Sequence, residues 1–119
     1  MTKSLLNKMF SLESKTVVLT GAGGTLVGEM ATTASQCGAQ TVILDLSGDT
    51  AKRIAGTIKK KGGEVMTLQC DVVNQYSLEK CCVKILDRYG KIDCLVNGGG
   101  GNKVEATTSD DLSFFDIPV

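Results

Sequence analysis

Four short runs of β-branched and apolar residues punctuate this chain: Thr16-Val17-Val18-Leu19-Thr20, Thr41-Val42-Ile43-Leu44-Asp45, Val65 to Cys70, and Ile92 to Val96. Runs with no polar alternation belong to strands buried on both pleat faces. Between the first two, Leu26, Met30, Ala31, Ala34 and Cys37 recur at helical spacing until Gly38 ends the pattern. After the second, Ser47-Gly48-Asp49 supplies a turn and a cap, and Ala51, Ile54, Ala55 and Ile58 form a helical stripe that stops at Gly62-Gly63. A third stripe holds Leu78, either Cys81 or Cys82, Ile85, Leu86 and Tyr89, with Gly90 at its end. Strict alternation of strand and helix predicts an α/β fold with a parallel sheet, right-handed crossovers and three helices.

Residues 1–15 read as a short polar-apolar lead and residues 16–119 as the folded unit, within which 103–119 is loop or irregular. A chain of 119 residues has room for one domain and none for a separate substrate-binding domain, since domains run to roughly 100–200 residues. Thirteen Lys plus Arg balance thirteen Asp plus Glu, so no net field gathers nucleic acid or an anionic membrane surface. No apolar run approaches the roughly 20 residues of a membrane span, and the start leads into no signal-peptide core, so a cytoplasmic location is expected. Five cysteines without a Cys-x-x-Cys pair, and no histidine, argue against a zinc site, a disulfide framework and a histidine base.

The first strand ends in Thr20-Gly21-Ala22-Gly23-Gly24-Thr25-Leu26-Val27-Gly28, and a helix starts within this segment. Unpaired N–H groups and the partial positive charge at a helix N-terminus bind a diphosphate when no side chain blocks the approach, and glycine gives that clearance. The strict G-x-G-x-x-G pattern fails at Leu26, and a P-loop fails at Glu29, where its lysine belongs. Asp45 ends the second strand 24 positions after Gly21, where a carboxylate accepts hydrogen bonds from an adenosine ribose. The alternative reading makes Asp45 a helix cap or a solvated strand end.

Together, Thr20-Gly21-Ala22-Gly23-Gly24, Asp45, Cys70-Asp71-Val72 and Asn97-Gly98-Gly99-Gly100 resemble the amino-terminal half of the short-chain dehydrogenase/reductase family. The resemblance implies a Rossmann-type doubly wound sheet, here of about four strands in the order 3-2-1-4, binding NAD(P). It implies that Gly21, Gly23, Gly24 and Leu26 line the dinucleotide's phosphates, that Asp45 and Leu46 meet the adenosine ribose, and that Asp71 and Val72 flank the adenine. Asn97, Gly98 and Gly99, at the family's Asn-Asn-Ala-Gly strand end, would support the sheet and the nicotinamide-side ribose. Asp45 favours NAD over NADP, because its charge repels a 2′-phosphate. The tail, Gly100-Gly101-Asn102, Ala106-Thr107-Thr108 and Phe114-Phe115-Asp116, is similar to the D-mannonate oxidoreductase or fructuronate reductase branch, which interconverts a sugar acid and its keto form. Full-length relatives are expected to be homo-oligomers.

Val27 stands where the family has its last glycine, beside the diphosphate. The family's catalytic Ser and Tyr-x-x-x-Lys lie well downstream of the Asn97 strand, and the sequence stops at Val119, so no catalytic residue is assigned. A Tyr-x-x-x-Lys at Tyr76 and Lys80 falls on the wrong segment and reads as a helix-surface pair. The Lys59-Lys60-Lys61 run serves a helix end, and Asp110-Asp111 lacks the further ligands that a metal needs. Two classes of function remain open: an oxidoreductase whose catalytic residues lie beyond Val119, and a non-catalytic nucleotide-binding or interaction module. With its fourth strand unpaired on one side and one sheet face thinly covered, the chain alone is expected to be marginal or self-associating.

Overall fold

The computed structural model describes residues 3–100 and 104–118. Thr16–Thr20 forms β1, Gln40–Asp45 β2, Val65–Gln69 β3 and Cys94–Asn97 β4. These make one parallel sheet in the order β3-β2-β1-β4, the order that the resemblance implies. The helices are α1 (Lys3–Phe10), α2 (Thr25–Gln36), α3 (Gly48–Lys60) and α4 (Gln75–Tyr89), and short 3-10 turns follow at Val104–Ala106 and Phe114–Asp116.

Right-handed crossovers in one direction place α2 and α3 on the same face of the sheet, and the reversal after β3 carries α4 to the other. On the first face Val17, Leu19 and Ile43 pack with Ala31, Ile54 and Ile58. On the second, Val18, Val42 and Leu44 pack with Cys81 and Ile85. Each fully buried aliphatic side chain contributes roughly 1.5–3 kcal/mol, so the alternating inward residues of β1 and β2 hold both layers. The α4 helix starts at Asn74, whose side chain accepts the Ser77 N–H, and ends at Gly90 with φ of 74°, a left-handed cap that an L side chain rarely adopts.

Among the described residues the helix count is a correction: four α-helices, not three. Leu5, Leu6, Met9 and Phe10 recur at helical spacing along α1, a stripe passed over when residues 1–15 are taken as a lead; they stay largely exposed, and eight residues alone are marginal. The third strand stops at Gln69 rather than Cys70, and the fourth runs from Cys94 to Asn97 rather than from Ile92. Of the two candidate cysteines on α4, Cys81 is buried and Cys82 exposed.

The β4 strand pairs with β1 on one side and is one of the sheet's two edges, β3 being the other. Beside it, on the α2 face, lies an apolar groove of about 410 Å³ lined by Leu12, Val17, Leu19, Met30, Ala34 and Val96. On the opposite face Leu95 is left 54% exposed.

Candidate functional site

All four strands of a parallel sheet end at the same edge, and β1 is flanked there by strands whose crossovers run in opposite directions. Such a switch point opens a crevice between the two diverging loops. The loop after β1, Gly21 to Gly24, and the loop after β4, Gly98 to Gly100, meet at this crevice. Gly21 has φ of +68°, and a Cβ on it would stand 2.5 Å from the Gly98 carbonyl oxygen, so glycine is required there both for conformation and for space.

Thr20 ties the two loops together. Its buried Oγ1 accepts the Gly98 N–H at 3.1 Å and the Gly99 N–H at 3.0 Å, and its hydroxyl donates to the Val96 carbonyl at 3.4 Å. One side chain thus satisfies two backbone donors of a loop that begins 78 residues away.

Gly24 is the N-cap of α2 and offers no side-chain cap. The N–H groups of Thr25, Leu26 and Val27 have no acceptor among the described residues. Three unpaired donors at the positive end of a 12-residue helix are suited to an anionic group. A Cβ at Gly24 would meet only the Gly21 carbonyl, at 3.4 Å, so the approach to these donors is open.

Asp45 stands at the end of β2, beside the glycine loop. Its Oδ2 accepts the Gly23 N–H at 2.8 Å, and its Oδ1 accepts the Ser47 N–H at 2.8 Å and a long bond from the Thr50 hydroxyl at 3.5 Å. A Cβ on Gly23 would collide with Thr50 Oγ1 and lie 2.7 Å from Asp45 Oδ2, so this glycine makes room for the carboxylate rather than for a phosphate. A carboxylate has about four acceptor positions, and Oδ2 retains capacity for a hydroxyl donor.

Leu26 on α2 is 76% exposed and Leu46 after β2 is 66% exposed, and Val72 after β3 is also on the surface. Val72 lies against Gly99, whose Cβ would be 3.4 Å from it. Asp71 is occupied locally: its N–H donates to Ser77 Oγ at 3.0 Å and its Oδ1 accepts the Val73 N–H at 3.1 Å. Asn97 is the last residue of β4 and is paired in register with Thr20.

The structure therefore brings Gly21, Gly23, Asp45, Val72, Gly98 and Gly99 to one edge of the sheet, with Leu26 and Leu46 at its rim. Thr20, Ser47 and Thr50 carry hydrogen bonds in this site that the sequence reading did not assign. The Ser47 N–H bond has a local signal, since an Asp side chain commonly accepts from the backbone two residues on; the Thr20 role has none. Behind β3, burial and then the neighbouring Cys70 push the Cys81 thiol up to about 11, which leaves it protonated and unreactive. Lys80 lies over the Tyr76 ring, 5.5 Å from its centroid, on the surface of α4. Of the tail motif, residues 101–103 lie outside the described residues; Phe114 and Phe115 are in T-shaped contact, and Phe115 is 92% exposed.

The short chain dehydrogenase family pattern matches residues 15–116. An uncharacterized oxidoreductase of Haemophilus influenzae is 32% identical over 107 residues, which are 90% of this chain and 38% of that protein. The 7alpha-hydroxysteroid dehydrogenase of Escherichia coli K12 is 34% identical over 94 residues, 77% of this chain and 37% of that enzyme. A solved structure of a proposed D-mannonate oxidoreductase from Haemophilus influenzae with bound NAD superposes with a TM-score of 0.78 at 28% identity, covering 95% of this chain and 44% of that one. The chain thus spans about two fifths of the length of these relatives. Matched over nearly all of its length in sequence, and in the strand order of its sheet, this chain belongs to the short-chain dehydrogenase family.

Proposed function

We propose that this chain forms the NAD-binding part of an oxidoreductase that acts on a sugar acid of the D-mannonate or D-fructuronate type. The observation that carries the proposal is the pairing of three unpaired N–H groups at the start of α2 with the Asp45 carboxylate at the end of β2. The first suits a diphosphate and the second a ribose hydroxyl, and the glycine loop joins them. Gly21, Gly24 and Leu26 border the diphosphate, and Gly23 makes room for Asp45; Asp45 and Leu46 meet the adenosine ribose; Asp71 and Val72 flank the adenine; Asn97, Gly98 and Gly99 support the second ribose. The exposed Leu26, Leu46 and Val72 side chains gain apolar partners when ring faces cover them.

NAD, when bound, supplies a nicotinamide ring that accepts or gives a hydride. This chain's residues bind and orient; none is assigned to move the substrate's proton. Asp45 supports NAD over NADP, because a 2′-phosphate would meet a carboxylate already held rigid by Gly23 and Ser47. The sugar-acid assignment draws on the tail segments Ala106-Thr107-Thr108 and Phe114-Phe115-Asp116 and on the likeness to the proposed D-mannonate oxidoreductase.

Calorimetric titration of the chain with NAD⁺ and NADP⁺ tests the proposal. NAD⁺ is expected to bind at least about tenfold more tightly, and Asp45→Asn, which keeps an acceptor for Gly23 but loses the charge, to shrink that preference to about threefold or less. Equal affinities in the parent, or an unchanged preference in Asp45→Asn, would overturn it.

A further inference from the structure

We infer that Val27 and Gly98 are a size-matched pair that sets the spacing between the loops after β1 and β4, and so positions the half of a dinucleotide that lies beyond its diphosphate. The inference rests on the dinucleotide reading above.

Gly98 is held on three sides. Its N–H donates to Thr20 Oγ1 at 3.1 Å. A Cβ on it would stand 2.6 Å from the Thr20 carbonyl oxygen and would collide with Cγ2 of Val27. From its carbonyl side it presses on Gly21, whose own Cβ would lie 2.5 Å from the Gly98 oxygen. Three of these four contacts are backbone or the short Thr20 hydroxyl, whose positions are fixed by the β1–β4 register of Thr20 with Asn97. The Val27 isopropyl group is the one adjustable spacer in the set. It is half-buried and packed against the α2-face core, so it cannot swing aside without opening a void there.

Val27 also carries one of the three unpaired N–H groups at the start of α2. A diphosphate at those donors has Asp45 to one side, across β2, and Gly98 and Gly99 to the other, across β4. The nucleoside beyond the diphosphate on the β4 side therefore follows a loop whose height above α2 is set by the Val27–Gly98 contact. The adenosine side, read by Asp45, does not depend on it. Val27 is a positioning residue for the distal half only.

Titration of the full chain with NAD⁺ and with ADP separates the two halves. Gly98→Ala is expected to weaken NAD⁺ binding by about tenfold while ADP stays within about twofold; adding Val27→Ala, which removes the Val27 contact and leaves that with the Thr20 carbonyl, is expected to recover about threefold of that loss. Val27→Ile, a milder change, is expected to give the same split at about threefold, and it reads the pair if circular dichroism shows that Gly98→Ala does not fold. ADP affinity that falls in step with NAD⁺, a Gly98→Ala loss that Val27→Ala leaves intact, or a folded Val27→Ile that binds both ligands as the parent does would each overturn the pair. NAD⁺ binding no tighter than ADP on the parent overturns it while leaving nucleotide binding in place; a folded parent that binds neither overturns both.

Discussion

On the β2 side of β1 the sheet is closed, and on the β4 side it is open, although the residues are equally apolar. Val42 and Ile43 are wholly buried, each under a different helix layer. Leu95, paired with Val18 across the other edge of β1, is 54% exposed, and Val96 borders an open groove. The difference lies in the crossovers: two helices cover β1 and β2 from one face and α4 crosses the other, but none of the described helices settles over β4. Apolar sequence makes a strand; it does not cover one. The candidate site straddles this boundary, since Asp45 and the glycine loop stand on the closed side and Gly98 and Gly99 on the open side. The half of the crevice proposed for adenosine thus rests on the more deeply packed part of the domain, and the half proposed for the second nucleoside on the less covered part.

Truncation on the two sides should differ most. Ile43→Ala removes a fully buried side chain from the α2/α3 face and is expected to lower the unfolding free energy by about 3 kcal/mol. Leu95→Ala, on the exposed edge strand, should change it by less than about 0.5 kcal/mol. Urea unfolding of both variants measures the contrast, and equal losses would mean that β4 is covered in solution.

Thr20→Val attacks the boundary itself. The change keeps shape but deprives the Gly98 and Gly99 N–H groups of their acceptor, which is expected to destabilise by about 2 kcal/mol. Because only the open-side loop is released, hydrogen exchange should accelerate at Gly98 and Gly99 while Val42 and Ile43 keep their protection. Thiol labelling sharpens the same comparison without mutation. Cys94 on β4 and Cys82 on α4 are exposed and should react with a maleimide in the native state, whereas buried Cys70 and Cys81 should react only on unfolding. Burial and the Cys70 neighbour raise the Cys81 thiol from 9.0 to about 11. Between these values the unfolded chain ionises and the folded one does not, so stability should fall as pH rises above 9.0. Cys81→Ala should remove that part of the alkaline slope.

The closed side was legible in the sequence because its signals are local. Val17 to Thr20 and Thr41 to Asp45 show strand character within five residues each, and Ala51, Ile54, Ala55 and Ile58 show a helix face within eight. Their burial follows from the crossover rule. The glycine loop and Asp45 were legible for the same reason, as a strand end followed by a helix start. Thr20 was not, because its partners Gly98 and Gly99 become neighbours only when β4 pairs with β1. The Gly23 role was also hidden: sequence suggests clearance for a phosphate, but only the fold reveals that Asp45 and Thr50 fill the space beside it. The α1 helix was legible too, in the spacing of Leu5, Leu6, Met9 and Phe10, but it is only eight residues long and marginal by itself.

The smallest expected effect concerns how α4 is fastened to the closed side. Arg88 and Tyr89, at the end of α4, both donate to Glu64 Oε1, at 2.6 and 3.1 Å, just before β3 begins. The Arg88 hydrogen bond, then that of Tyr89, holds the Glu64 carboxyl below its ordinary 4.5. A depressed carboxylate stabilises the fold fully above the unfolded value and loses that contribution as pH falls through the folded one. Both charged side chains are about half exposed, so solvent and salt screen most of the attraction. Glu64→Gln should therefore be slightly less stable than the parent at neutral pH, with the gap closing as pH falls below the ordinary carboxylate range and shrinking in about 1 M salt. Thermal melts across pH and salt measure this. A gap that survives acid would show that Glu64 fastens Arg88 and Tyr89 through its hydrogen-bonding shape rather than its charge.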